Sequence, residues 1–131
     1  MKLTRENAIL PFPTDPELSG SLYARIVGLE DGVLVGCGPE STAILLGACI
    51  HQGALGEPAS VAIMNGGLAG TVKLELNGPV TVGQYLVLDA AGVVSADPGS
   101  GARILVGQAL EAGVASELIE AVIFKPIEFT E

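Results

Sequence analysis

A chain of 131 residues is one domain by size and can bury roughly two-thirds of its unfolded surface without a disulfide or a metal. Six basic and 15 acidic side chains give a net charge of −9 and no basic cluster, which opposes nucleic-acid and anionic-membrane partners. Residues are 49% hydrophobic but only 4% aromatic, with no Trp, 18 Gly and 8 Pro, so many short strands of Val, Ile, Leu and Ala are expected; no apolar run of about 18 residues offers a spanning helix.

Residues 1–20, MKLTRENAILPFPTDPELSG, differ from the rest. Pro11, Pro13 and Pro16 each remove a backbone donor and push the preceding residue toward extended geometry. The segment is expected to be an extended arm with no secretory leader pattern. Ile9, Leu10, Pro11, Phe12 and Pro13 are its candidate contacts to a partner or another subunit, in preference to its own domain. Residues 21–131 are expected to form the β-domain. Leu22–Leu29 is a strand candidate, and Glu30-Asp31-Gly32 a hairpin turn into Val33–Val35. Gly36 to Thr42 is a loop. Apolar segments follow at Ala43–Leu46, Ala48–Ile50 and Val61–Met64. Asn65-Gly66-Gly67 turns the chain. In TVKLEL (71–76), Val72, Leu74 and Leu76 alternate with Lys73 and Glu75, the pattern of a half-exposed antiparallel strand. Tyr85–Leu88, Val93-Val94, Ile104–Val106, Ala109-Leu110 and Ala121–Phe124 complete the expected strands, and no helix template fits.

Two stretches are the same stretch twice. Residues 44–64 align without a gap on residues 104–124 at an offset of 60 (Ile44 against Ile104). Ile44, Leu45, Gly47, Gly53, Glu57 and Ile63 meet Ile104, Leu105, Gly107, Gly113, Glu117 and Ile123. At the same offset Val27 meets Val87 and Gly32 meets Gly92. A fixed offset marks an internal repeat, and two short copies closing on one core make a compact β-barrel or sandwich. The related halves are about 22–64 and 82–124. The glycines supply positive φ or a bulge.

Convergent chemistry is missing from this pattern, so an enzyme is not expected. The lone His51 falls opposite Glu111 in the repeat and reads as a surface residue. Glu57 and Glu117 read as solvated strand-entrance residues. No nucleophile elbow, phosphate loop, metal-ligand set or calcium-loop spacing occurs, and no cofactor is expected. Cys37 and Cys49 form no CxxC. A bridge between them is open, but reduced structural cysteines fit better with Cys49 in an apolar strand.

The order of several motifs resembles the small capsid cement, or head decoration, proteins of tailed bacteriophages. They are Gly56-Glu57-Pro58-Ala59-Ser60-Val61-Ala62, Gly78-Pro79-Val80-Thr81-Val82-Gly83-Gln84-Tyr85-Leu86, Asp89-Ala90-Ala91-Gly92-Val93-Val94, Val106-Gly107-Gln108-Ala109-Leu110-Glu111-Ala112, and Glu117-Leu118-Ile119-Glu120-Ala121-Val122. The resemblance spans about residues 43–124. The proline arm departs from the common start of that family, and Ser116 stands where it tends to have glycine. The resemblance implies an all-β protein, commonly a homotrimer, assembled in the host cytoplasm and seated on the exterior of the virion head. There it would bind the major capsid protein and reinforce the shell. The alternative is a receptor- or carbohydrate-binding β-module. Such modules display aromatic platforms, and Tyr23 and Tyr85, near-equivalent in the repeat, are expected to pack instead.

Overall fold

The computed structural model describes residues 9–14, 21–52, 57–64 and 71–130. Among the described residues ten strands form two five-stranded antiparallel sheets, with one short 3-10 turn beside them. The first sheet holds β1 (Ile9–Phe12), β2 (Ile26–Glu30), β3 (Val33–Gly36), β4 (Ile44–Gln52) and β5 (Ala59–Ile63), in the order β1-β5-β4-β2-β3. The second holds β6 (Val72–Glu75), β7 (Tyr85–Leu88), β8 (Val94–Ala96), β9 (Arg103–Ala109) and β10 (Leu118–Phe129), in the order β6-β10-β9-β7-β8. The two orders are one order. Each strand of the first sheet has its counterpart five places on.

The registers repeat as well. Gly47 lies opposite Ile63, and Gly107 opposite Ile123. Pairing of β2 with β4 slips between Val27 and Gly28, and pairing of β7 with β9 slips between Leu86 and Val87, so Leu46 and Val106 are the same bulge in the two copies. The offset itself is not uniform. Ile26 pairs with Ala48 as Tyr85 pairs with Gln108, which places β2 on β7 at 59, so Val27 corresponds to Leu86 and not to Val87. Turn length is the cause. Asp31-Gly32 (φ 52 and 82) makes a tight hairpin, whereas the second copy inserts a residue and closes through Ala90–Gly92, with Ala91 and Gly92 at φ 56 and 91. At the other end Phe12 pairs with Ala59 as Leu74 pairs with Ile119, an offset of 62.

Residues 9–14 of the proline arm therefore enter the fold, the rest of it, Pro16 included, lying outside the described residues. Ile9–Phe12 adds β1 antiparallel to β5 of its own domain, which corrects the expectation that this stretch docks elsewhere in preference. Pro11 is tolerated because β1 is an edge strand, where one side of the backbone needs no ladder donor. Each sheet then curls until its outer strands meet. Thr14 bridges Leu34 in the first, and Leu76 bridges Val94 in the second. Residues Leu22–Arg25, expected to begin a strand, form a turn with Ala24 at φ 62. Ala43–Leu46 and Ala48–Ile50, expected as two pieces, run together as β4 because the bulge keeps the strand in register around Gly47.

Two cores result. Val27, Leu34, Cys49, Ala59 and Val61 fill the curl of the first sheet, with Phe12 packed against them. Their counterparts Leu86, Val94, Ala109, Ile119 and Ala121 fill the curl of the second. That second core also takes in the back of the first sheet, through Ile26, Ala48, Ala62 and Met64, each at most 4% exposed. The expected alternation in β6 holds, with Val72, Leu74 and Leu76 buried at 5%, 0% and 1%.

The joint between the copies is specific. The Glu75 amide donates to the Ala24 carbonyl at 2.7 Å. The Arg25 guanidinium meets the Glu75 carboxylate at 3.5 Å. Gly92 is needed on two counts, its φ of 91 and its packing: a Cβ there would lie 3.1 Å from that of Arg25 and 3.2 Å from the Ile26 nitrogen. Thus β6 and the Asp89–Gly92 turn of the second copy grip the back of the first.

Candidate interaction surfaces

Strand β1 presents most of the candidate contact residues at the rim of the first sheet. Ile9 is 43% exposed, Pro11 and Pro13 are exposed, and Phe12 is half-buried against the core. Leu10 pairs with Val61. Thr14 closes the strand by donating from its Oγ1 to the Glu57 carbonyl at 2.7 Å. The five residues are contiguous, and the backbone of Ile9–Phe12 is paired with β5 of their own sheet.

The back of the second sheet carries an apolar exposure that the sequence did not reveal. Tyr85 on β7 and Phe124 on β10 meet edge to face, ring centroids 6.3 Å apart. With Leu105, Lys125, Pro126 and Ile127 they line a shallow groove of about 490 Å³. The groove exists because β10 breaks register between Ile123 and Ile127, lifting Lys125 and Pro126 off β9. Tyr85 is 48% and Ile127 47% exposed. Tyr23 is also exposed, at 39%, so neither tyrosine packs as expected. They are not equivalent either: Tyr23 lies in the turn before β2, whereas Tyr85 opens β7.

A second, more polar groove of about 640 Å³ runs between the Gly38–Ser41 loop and the end of β10. Arg103 organises one wall. Its guanidinium lies 4.2 Å from the centre of the Phe129 ring and pairs with Asp97, whose carboxylate also accepts from the Gly99 amide at 3.1 Å. The segment DPGSG is thereby ordered.

A small hollow of about 240 Å³ lies beside Tyr23, Thr71, Lys73 and Glu120. Lys73 reaches Glu120 at 3.2 Å and Glu111 at 3.5 Å. The Thr71 hydroxyl, followed by Lys73, holds the Glu120 carboxyl below its ordinary pKa, and Glu120 in turn raises that of Lys73. Asp89 is held low by hydrogen bonds from the Asn77 amide and the Ala90 N–H, both 2.8 Å. These carboxylates brace turns and strand ends.

The residues singled out for chemistry stay apart. His51 is exposed on β4 opposite Ser60, and Glu111 is engaged by Lys73. Glu57 and Glu117 belong to different copies, and Glu117 accepts from the Val114 amide at 2.8 Å. Cys37 and Cys49 are free and lie in different cores, where burial pushes both thiols up. Among the described residues no group of three His, Cys, Asp or Glu side chains is placed to hold a metal ion.

No protein-family model and no curated protein matches the chain. A solved structure does. In fold the chain is similar to the head fiber gp8.5 N base of bacteriophage phi29. The match has a TM-score of 0.60 at 15% identity and covers 88% of this chain and 93% of that one. The correspondence therefore includes both copies of the five-stranded unit, and at this identity it is a likeness of fold.

Proposed function

We propose that this protein is a structural component of a tailed-bacteriophage head: a decoration protein that binds the outer surface of the shell and stabilises contacts between major capsid proteins. The observation that carries this reading is the near end-to-end fold likeness to a head fiber base. The order of turn and strand motifs in residues 43–124 supports it independently. So does the architecture, in which ion pairs and carboxylates brace turns while an apolar groove and a sheet edge are exposed. Surfaces of that kind suit a protein partner. The rim residues Ile9, Pro11, Phe12 and Pro13, with Leu10 among them, remain the proposed capsid or subunit contact.

The test uses heads assembled without this protein. Purified protein is mixed with them and pelleted, and binding is titrated. Saturable binding at a fixed ratio to the major capsid protein is expected, together with greater resistance of the heads to heat or chelation. Failure to pellet with the heads refutes the reading.

A second reading keeps one observation in its favour. Tyr23 is exposed beside a hollow lined by Thr71, Lys73 and Glu120, a pairing of aromatic face and polar groups that suits a sugar ring. Binding to a glycan array, lost in Tyr23→Ala, would favour a receptor-binding module instead.

A further inference from the structure

The duplication leaves one face without its counterpart. In the first copy the back of the sheet is covered: Ile26, Ala48, Ala62 and Met64 are at most 4% exposed because the second copy packs on them. The same positions in the second copy are Tyr85, Gln108, Val122 and Phe124, by the shared registers. None of these four is buried, and Tyr85 is 48% exposed. Leu45 becomes Leu105, which lines the apolar groove with Tyr85 and Phe124 although it is itself only 7% exposed. The chain therefore carries the same sheet back twice and covers it once.

The covering elements are also present twice. Within the chain, β6 and the Asp89–Gly92 turn grip the first sheet's back. Their counterparts in the first copy are β1 and the Glu30–Gly32 turn. These are exposed at the far end of the chain, with Ile9 at 43% and Glu30, Asp31 and Gly32 all exposed. Charge agrees with the match. Lys125 lines the groove and is the one described Lys or Arg without an ion pair, while the turn that would approach carries Glu30 and Asp31.

We propose that a second copy of this chain occupies the groove on the back of the second sheet, presenting its own β1 and Glu30–Gly32 turn, so that subunits join head to tail as the two copies join within one chain. Such a contact is heterologous: each subunit uses two different surfaces. It is weaker than the internal joint for a stated reason. Pro13 stands where Glu75 stands, so the backbone hydrogen bond and the ion pair of the internal joint have no equivalent. Apolar contact and the Lys125 charge carry it.

The experiment is sedimentation velocity of the intact protein over a concentration series, without heads, so that its outcome is separate from head binding. Wild type associates. Ile127→Glu, Lys125→Glu and Glu30→Lys each raise the dissociation constant at least about tenfold. Combining Glu30→Lys with Lys125→Glu restores association to within about threefold. Val114→Asp, an exposed apolar position outside the groove, leaves it unchanged. If Ile127→Glu misfolds by circular dichroism, the charge swap still decides the matter. Wild type that stays monomeric up to about 100 µM overturns the proposal, as does association indifferent to Lys125 and Glu30 changes. A groove that serves only the capsid protein shows itself as a monomer in which Ile127→Glu loses head binding alone, which also overturns it.

Discussion

Gly47 and Gly107 occupy the same place in the two copies, beside the shared bulge, and the structure says what each protects. A Cβ on Gly47 would collide with the Ala62 carbonyl oxygen and would stand 2.9 Å from its carbon and 3.0 Å from the Met64 nitrogen. All three are backbone atoms of the neighbouring strand, so no side chain can swing aside. On Gly107 the collision is with the Val122 carbonyl oxygen alone, the next atoms being 3.5 and 3.6 Å away. Forcing strands apart at such a site costs on the order of 1–3 kcal/mol, occasionally more. Gly47→Ala is expected near or above the upper end, about 3 kcal/mol, and Gly107→Ala at about 1–2 kcal/mol. Gly78 is the control: an added Cβ meets nothing within 4 Å, and Gly78→Ala should be neutral or stabilising by up to about 1 kcal/mol through the unfolded chain. Urea denaturation of the three variants reads the order directly. With a slope of about 1.5 kcal/mol/M, Gly47→Ala moves the midpoint down by about 2 M. A Gly47→Ala midpoint within error of wild type would refute the close approach of β4 and β5, and with it the shared geometry of the copies.

Leu74 is fully buried on β6, between the second core and the joint, so Leu74→Ala should cost about 3 kcal/mol by denaturation, more than any substitution of the exposed Ile127. The carboxyls of Asp89 and Glu120 are held below their ordinary values in the folded state. Their contribution is therefore complete above the unfolded carboxylate pKa of about 4 and is lost as pH falls through the depressed folded values. Thermal midpoints should decline below about pH 4, and Asp89→Asn should flatten that acid limb while shifting neutral-pH stability less. Cys37 and Cys49 are buried with raised thiol pKa values, so both should resist alkylation at neutral pH until denaturant is added, and mass spectrometry should find no bridge between them.

Much of the fold was legible because the repeat is written in residues that geometry demands. Gly47 and Gly107, Leu45 and Leu105, Ile63 and Ile123 recur because the bulge and the strand pairing recur. β6 was legible from simple alternation. The first strand of the first copy was not. At the offset of 62, Leu10, Pro11 and Phe12 meet Val72, Lys73 and Leu74 with no identity, and Pro11 describes an edge strand as readily as a leader. The shift from 60 to 59 at β7 was hidden too, since a one-residue insertion in a turn leaves the flanking strands looking alike. The groove on the second sheet's back was beyond sequence reasoning for a different reason. Tyr85 reads as a packing residue and Phe124 as the end of an apolar strand, and their exposure follows from there being nothing in the described chain to cover them. The one signal available at the offset of 60 was that Met64 became the aromatic Phe124.

Cryo-electron microscopy of phage heads carrying this protein tests the account most directly. The account predicts density for the ten-stranded unit on the outer surface of the shell, touching the major capsid protein, with the back of each second sheet against β1 of a neighbouring copy. Heads with no such density outside the shell, or copies seated singly with the Tyr85–Ile127 groove open to solvent, would contradict it.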